Sequence, residues 1–174
     1  LVEIVCRQCG YHTHIKSHTL IQPDLEPKER ERILSGRMFA FTCPICHEQI
    51  TYIHNFLYHD PKRRFLAYMS VDGKAPQELR DQFSASDLIC VRSPQALREA
   101  ILMSEDGIDH ALMAQIKSAL MKKDASAEAI YYHDYDPLSN TIWLDFVYEN
   151  ETIGKAIDRN HYDRLVNDKK QERG

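Results

Sequence analysis

The chain has 174 residues, of which 43% are hydrophobic and 28% are charged, and its formal net charge is −4. The length suits one ordinary domain, or a small module with a modest second domain, and the composition is typical of a globular protein. The net negative charge excludes a general attraction to nucleic acid or anionic lipid, and no apolar run approaches the ~20 residues of a membrane helix.

Strands are predicted to dominate the chain up to residue 71. Segments rich in β-branched and aromatic residues flank two cysteine pairs, and a further strand, apolar on both faces, is predicted to be central; these segments are 2–5, 11–21, 37–42, 49–58 and 65–71. A helix is predicted over 23–36, with Asp24 as its cap, Pro27 in its first turn and Gly36 at its end. Residues 59–64 predict a turn.

The segment 72–76 is the predicted boundary, and helices and strands alternate beyond it. We expect a buried strand at 87–92, a helix from Ser93 to about Met103, a helix over 108–123, two strands joined by a turn over 128–148, and a terminal helix over 158–170. The predicted fold class is α+β. It comprises a zinc-ribbon-like antiparallel β module with an inserted helix (1–75) and a C-terminal α+β region (76–174).

Two Cys-x-x-Cys pairs, Cys6/Cys9 and Cys43/Cys46, each lie between predicted strands. Such a pair tends to form a knuckle, a tight turn that directs both sulfurs to one side. Neither pair alone fills a tetrahedral zinc shell, but two pairs together supply four thiolates. The gap between the pairs exceeds the usual ~15–20 residues, and the predicted strand and helix within it account for the excess. The pattern therefore predicts a four-cysteine metal site.

Energetics favour a structural metal. A module of this size draws only ~3–5 kcal/mol from its core, whereas zinc binding coupled to folding contributes ~10–16 kcal/mol. A thiol redox protein is the alternative. It would need an exposed cysteine of low pKa, usually at a helix N-terminus, and neither pair opens an obvious helix. An odd cysteine count with two tight pairs does not resemble a disulfide framework, so we expect a reducing, cytoplasmic setting.

The residues "CRQCG", "ILSGRMFAFTCPICHEQI" and "NFLYHDPKRRFLAYM" resemble the CpXC domain, a family of bacteria and archaea named for two Cys-Pro-x-Cys motifs. The resemblance covers about residues 2–72 and continues more loosely through 87–110. It implies metal binding by Cys6, Cys9, Cys43 and Cys46, and no catalytic activity. The first pair lacks the proline. His47 follows the second pair where glycine is usual, at a position that tends to need a positive φ, which His tolerates better than most residues. His47 is also weighed as a competing ligand.

Other polar groups of the sequence also have simple structural roles. His59-Asp60 and His133-Asp134 precede turns, where Asp commonly binds turn backbone, and catalysis or metal binding there is the less favoured interpretation. Three histidines are expected on one strand face, His12, His14 and His18, and three acidic residues surround one hairpin, Asp134, Asp136 and Asp145. A basic turn contains Lys62, Arg63 and Arg64, and Cys90 has apolar neighbours.

The function expected from the sequence is that of a zinc-binding bacterial protein with a structural four-cysteine site, acting as a non-catalytic interaction module. We expect a protein partner and no membrane partner. A nucleic-acid-binding zinc-ribbon protein and a thiol redox protein remain as alternatives. Nucleic-acid binding would depend on Lys62, Arg63 and Arg64 and would weaken steeply with salt.

Overall fold

The computed structural model describes all residues from Leu1 to Gly174, and their contacts divide them into two compact units, Leu1–Ala100 and Ile101–Gly174. The predicted α+β class is confirmed, because five α-helices accompany eleven strands arranged in four sheets. None of the helices combines the length and apolar character that crossing a bilayer requires.

Two short antiparallel hairpins carry the cysteine pairs in the first unit. Strands β1 (Val2–Val5) and β2 (His12–Ile15) form one, and β4 (Ala40–Thr42) and β5 (Gln49–Thr51) form the other. The continuous strand predicted over 49–58 is divided, because β5 pairs with β4 whereas the next strand belongs to a different sheet.

A four-stranded mixed sheet forms the main core of the first unit. Its order is β3 (Leu20–Ile21), β6 (Phe56–Asp60), β7 (Phe65–Met69) and β8 (Asp87–Val91). The central position predicted for 65–71 is confirmed, since β7 lies between two strands and all five of its residues are buried. The β6–β7 pair is antiparallel, and the two outer pairs are parallel. Because β8 joins this sheet, the first unit extends past residue 75. That residues 1–75 form a domain of their own stays a prediction.

Helix α1 (Pro27–Leu34) begins with proline, as predicted, and Gly36, with a φ of +76°, lies just beyond its end. The predicted cap at Asp24 is wrong. The residue that precedes the helix is Glu26, so Asp24 is too far from the first turn to cap it. The Asp24 carboxylate instead lies 3.0 Å from the Lys62 ammonium. A short 3₁₀ turn, Arg37–Phe39, follows and buries Phe39.

Two further helices flank β8 along the chain, one before it and one after it. Helix α2 (Gln77–Gln82) was not predicted, and α3 (Pro94–Glu105) was. The Ser93 hydroxyl caps α3 by accepting a hydrogen bond from the Ala96 amide at 3.1 Å, as the Ser-Pro pair indicated.

The second unit packs helices against a three-stranded antiparallel sheet. Helix α4 (His110–Lys123) precedes strands β9 (Ala129–Asp136), β10 (Thr141–Val147) and β11 (Thr152–Asp158), and α5 (Arg159–Arg173) ends the chain. Strand β10 is central, and its inward residues alternate along the strand: Ile142, Leu144 and Phe146. Tyr162 of α5 is buried in the same core.

Candidate metal centre

The two cysteine pairs adopt the same backbone turn. In the first, the Cys6 amide donates to the Tyr11 carbonyl and the Gly10 amide donates to the Cys6 carbonyl, both at 2.8 Å. In the second, the Cys43 amide donates to the carbonyl five residues on, and the amide four residues on donates back to the Cys43 carbonyl, both at 2.9 Å. This shared pattern is the knuckle that the sequence predicted.

The residue after each pair has a left-handed backbone. Gly10 has a φ of +76°, and His47, at the equivalent position, has a φ of +62°. The expectation that His47 adopts this geometry is confirmed. The conformation closes the turn, and it is accessible to His at a modest cost that glycine avoids.

All four sulfurs converge at one place. The sulfur atoms of Cys6, Cys9, Cys43 and Cys46 lie within 4.8 Å of one another. Two close separations join the two knuckles: 3.5 Å between Cys6 and Cys46, and 3.6 Å between Cys9 and Cys43. Four sulfurs at ~2.3 Å from one tetrahedral ion would be about 3.8 Å apart, whereas a disulfide brings sulfurs to ~2.05 Å. The cluster therefore has the dimensions of a metal site, and all its thiols are free.

The two cysteines of each pair differ in exposure. The leading cysteines are inside, with Cys6 1% exposed and Cys43 fully buried, whereas Cys9 is exposed and Cys46 is half-buried. The cluster thus has a closed inner side against the protein and an outer side near solvent.

The environment separates the acidities of the thiols. Burial raises the pKa of Cys43, but hydrogen bonds from the Cys46 and Ile45 amides outweigh it and lower the pKa to about 7. For Cys46, the hydrogen bond from the Glu48 amide lowers the pKa, but burial and the neighbouring cysteines together raise it to about 12. The Cys9 pKa is also raised, because burial and Cys43 outweigh the hydrogen bond from the Tyr11 amide. Without a cation, therefore, the cluster does not hold four thiolates at neutral pH.

Such a cluster can bind a metal ion. A divalent cation would compensate the mutual repulsion of the thiolates and displace their remaining protons. The fifth cysteine, Cys90 of β8, is outside the cluster and lies 3.5 Å from the Arg80 guanidinium.

The His59-Asp60 pair has structural contacts. Asp60 is only 2% exposed and accepts hydrogen bonds from the Arg63 amide at 3.2 Å and its guanidinium at 2.9 Å. The His59 ring stacks edge-on against Phe83 and contacts the Gln22 amide group. Asp60 therefore stabilises the turn between β6 and β7, as the simpler interpretation expected.

In the acidic hairpin of the second unit, Asp136 binds its own turn by accepting hydrogen bonds from the Leu138 amide and the Ser139 hydroxyl. Asp134 accepts from the adjacent Tyr135 amide within β9. His133 stands at a bulge of β9, and its Nδ1 lies 2.8 Å from an oxygen of Asp145, not of Asp134.

The basic residues of the turn after β6 have acidic partners. The Lys62 ammonium lies 3.0 Å from Asp24, and the Arg63 guanidinium lies 2.9 Å from Asp60. These contacts offset two of the three positive charges on which the nucleic-acid alternative depends.

One further group of potential metal ligands was not predicted from the sequence. Glu3, His12 and His14 bring three potential ligand atoms within 4.8 Å of one another. The two histidines were assigned to one strand face, but Glu3 was not, because its position depends on the pairing register of β1 and β2. His18, which was expected on the same face, lies beyond the end of β2, where its carbonyl accepts from His54.

The family follows from a comparison with protein-family models. The model described as "CpXC protein" matches residues 4–117, which is more than half of the chain. The chain belongs to the CpXC family. In this CpXC protein the matched range contains all four clustered cysteines. Searches of curated proteins and of solved structures found no significant match.

Proposed function

We propose that this CpXC protein holds one zinc ion through Cys6, Cys9, Cys43 and Cys46, and that the ion is structural. The observation that carries the proposal is the convergence of four free sulfurs from two equivalent knuckles. Four sulfur donors suit zinc, and they complete its tetrahedral shell without an open position for substrate. Such a site fastens two hairpins that are remote in sequence.

The burial and acidity of the thiols favour this role over thiol redox chemistry. A redox cysteine must be both ionised and accessible. Here the thiol with the lowered pKa, Cys43, is fully buried, whereas the pKa of the exposed Cys9 is raised. Acidity and access therefore fall on different residues. A reducing compartment such as the cytoplasm suits the proposal, because oxidation would consume the ligands.

The interaction role rests on the two hairpins. Strand β1 pairs only with β2, and β5 only with β4, so β1 and β5 each keep one edge free of a neighbouring strand. A groove of about 540 Å³ is lined by residues 3–5 of β1, by Arg7 and Gln8 of the first knuckle, and by residues 48–53, which comprise β5 and its continuations. An extended segment of a protein partner could add to such an edge. The metal would then stabilise the surface that the partner contacts.

The decisive experiment measures metal in the purified full chain. We expect one zinc per chain, with little iron, since iron is the other ion that four thiolates commonly hold. Cys43→Ser should lose the metal, because a buried hydroxyl replaces a ligand, and Cys90→Ser should retain it. A wild-type chain with no bound metal, or a Cys43→Ser variant that keeps its full content, would refute the proposal.

A further inference from the structure

The first hairpin presents a second set of metal-binding side chains on its exposed face. The pairing register places Glu3 of β1 directly opposite His14 of β2, and His12 lies two residues from His14 on the same face. All three residues are exposed, whereas Ile4, on the opposite face, is buried. The arrangement thus belongs to the solvent side of the hairpin and is distinct from the sulfur cluster.

The three side chains already converge. The His12 Nε2 atom lies 2.6 Å from Glu3 Oε1. The His12 and His14 rings meet edge-on with their centroids 5.2 Å apart, and one ligand atom from each of the three residues lies within 4.8 Å of the others. Zinc holds nitrogen and oxygen ligands at ~2.0–2.2 Å, which places neighbouring ligand atoms of a tetrahedral shell about 3.4 Å apart. The close His12–Glu3 pair must therefore separate slightly, and ligand atoms farther apart than this must approach. Exposed side chains can make that movement by rotation.

An ion pair alone accounts for part of this geometry. Glu3 and His12 would form an exposed pair, and such pairs contribute only ~0–1 kcal/mol. The second imidazole, of His14, adds only a minor attraction to the Glu3 carboxylate, smaller than that of His12. Two neutral imidazoles and one carboxylate, by contrast, are the ligand set of zinc sites that keep water in the remaining position. Imidazole also suits copper and nickel.

We propose that Glu3, His12 and His14 form a second, solvent-open site for a divalent transition-metal ion. It has three protein ligands from one hairpin and completes its shell with water. The site is weaker and more readily exchanged than the cysteine site, because its ligands are exposed and fewer. It goes beyond the structural role proposed for the cysteines and does not require it.

Cobalt titration of the reduced, metal-free full chain gives each site its own readout. Cobalt bound by thiolates produces an intense sulfur-to-metal charge-transfer absorption, whereas cobalt bound by histidine and carboxylate does not. We expect a second equivalent, detected by calorimetry, that adds none of that absorption. In His12→Ala/His14→Ala, binding of this second cobalt ion should disappear or its affinity should fall by more than about tenfold. Losing a residue that only supports a ligand already costs about tenfold or more, and the variant loses two ligands.

Three controls accompany the titration. His133→Ala removes another exposed histidine that contacts a carboxylate, Asp145, and should leave the second equivalent unchanged. Retention of the charge-transfer absorption in the double variant shows that the hairpin has folded, and Glu3→Gln tests the carboxylate without removing a ring. Absence of a second equivalent in the wild-type chain, or its persistence in the double variant, would overturn the site. A missing charge-transfer absorption would instead refute the cysteine site.

Discussion

The sulfur atoms of Cys6 and Cys46 lie 3.5 Å apart, although 40 positions separate the two residues along the chain. A sulfur of one knuckle thus contacts a sulfur of the other, and neither hairpin alone explains this contact. Because both knuckles have the same hydrogen-bond pattern, the two hairpins meet at equivalent ends, and one ion between them would cross-link them.

Metal binding should release protons in a pH-dependent way. The Cys43 pKa is lowered to about 7 and the Cys46 pKa is raised to about 12, so at neutral pH Cys46 still carries its proton and Cys43 is partly ionised. Protons compete with the metal, and affinity should therefore rise with pH. Cys43, with a pKa of about 7, should contribute about 0.8 more released proton at about pH 6 than at about pH 8.

Zinc titration by calorimetry in buffers of different ionisation enthalpy measures this release. Equal proton release at the two pH values would show that Cys43 does not titrate between them. Affinity that falls as pH rises through this range would contradict metal binding by thiolates.

Alkylation should distinguish coordination from simple burial. Cys9 is exposed, so access does not limit its reaction with iodoacetamide, but its raised pKa slows the reaction at neutral pH, and the experiment is therefore run at alkaline pH, where the thiolate forms. At that pH we expect slow modification of Cys9 in the metal-bound chain and faster modification after chelation, measured by intact-mass spectrometry with peptide mapping. Cys90 lies outside the cluster and should react at a rate that chelation leaves unchanged. Rapid modification of Cys9 with metal bound would indicate that it is not a ligand.

The backbone of the second knuckle should be sensitive to side-chain branching at His47. A φ of +62° costs a β-branched residue ~1–2 kcal/mol, whereas glycine adopts it freely. His47→Val should therefore lower the free energy of unfolding by about that amount, and His47→Gly should leave it nearly unchanged. Denaturant titration of the metal-bound protein measures both.

Gln49→Val is the matched control for His47→Val. Gln49 lies in β5, where an extended backbone favours β-branched residues, so the same substitution should be close to neutral. Equal losses of stability at the two positions would contradict the conformational explanation.

A buried hydrogen bond should make the second unit sensitive to pH. The Tyr132 hydroxyl donates to Asp106 at 2.6 Å; burial raises the pKa of Asp106, and this hydrogen bond opposes the increase. Tyr132→Phe should cost ~1–3 kcal/mol at neutral pH, because the carboxylate loses its donor. Because the pKa of Asp106 is raised in the folded protein, stability is lost as pH rises through that pKa. In acid, Asp106 is protonated and no longer needs the donor, so the loss of unfolding free energy in Tyr132→Phe should shrink.

Urea unfolding at about pH 7 and about pH 4 measures this difference. Tyr135→Phe is the control, because the Tyr135 hydroxyl donates to the neutral Asn140 side chain at 2.9 Å. Its deficit should not depend on pH in this range. A Tyr132→Phe deficit that is independent of pH would contradict the role assigned to Asp106.

Local chemistry made much of the first unit predictable. A Cys-x-x-Cys pair between strands defines a turn within a few residues, and Pro27 and Gly36 define the limits of α1 through their backbone preferences. The central position of β7 was also readable, because a strand that is apolar on both faces must be covered on both.

Pairing between remote segments could not be predicted in the same way. Strand β11 has mostly exposed residues and no apolar alternation, so its structure depends on β10 beside it. The parallel pairs β3–β6 and β7–β8 join remote segments and have no local sequence pattern. The group of Glu3, His12 and His14 was missed for the same reason, since only the register of β1 and β2 places the carboxylate beside the rings.

X-ray absorption spectroscopy of the metal in the purified full chain measures its coordination shell. With the second site left empty by a single equivalent of zinc, four sulfur neighbours at ~2.3 Å and no nitrogen or oxygen neighbour are expected. A first shell with fewer than four sulfurs, or one that is unchanged in Cys43→Ser, would contradict a zinc ion held by all four cysteines.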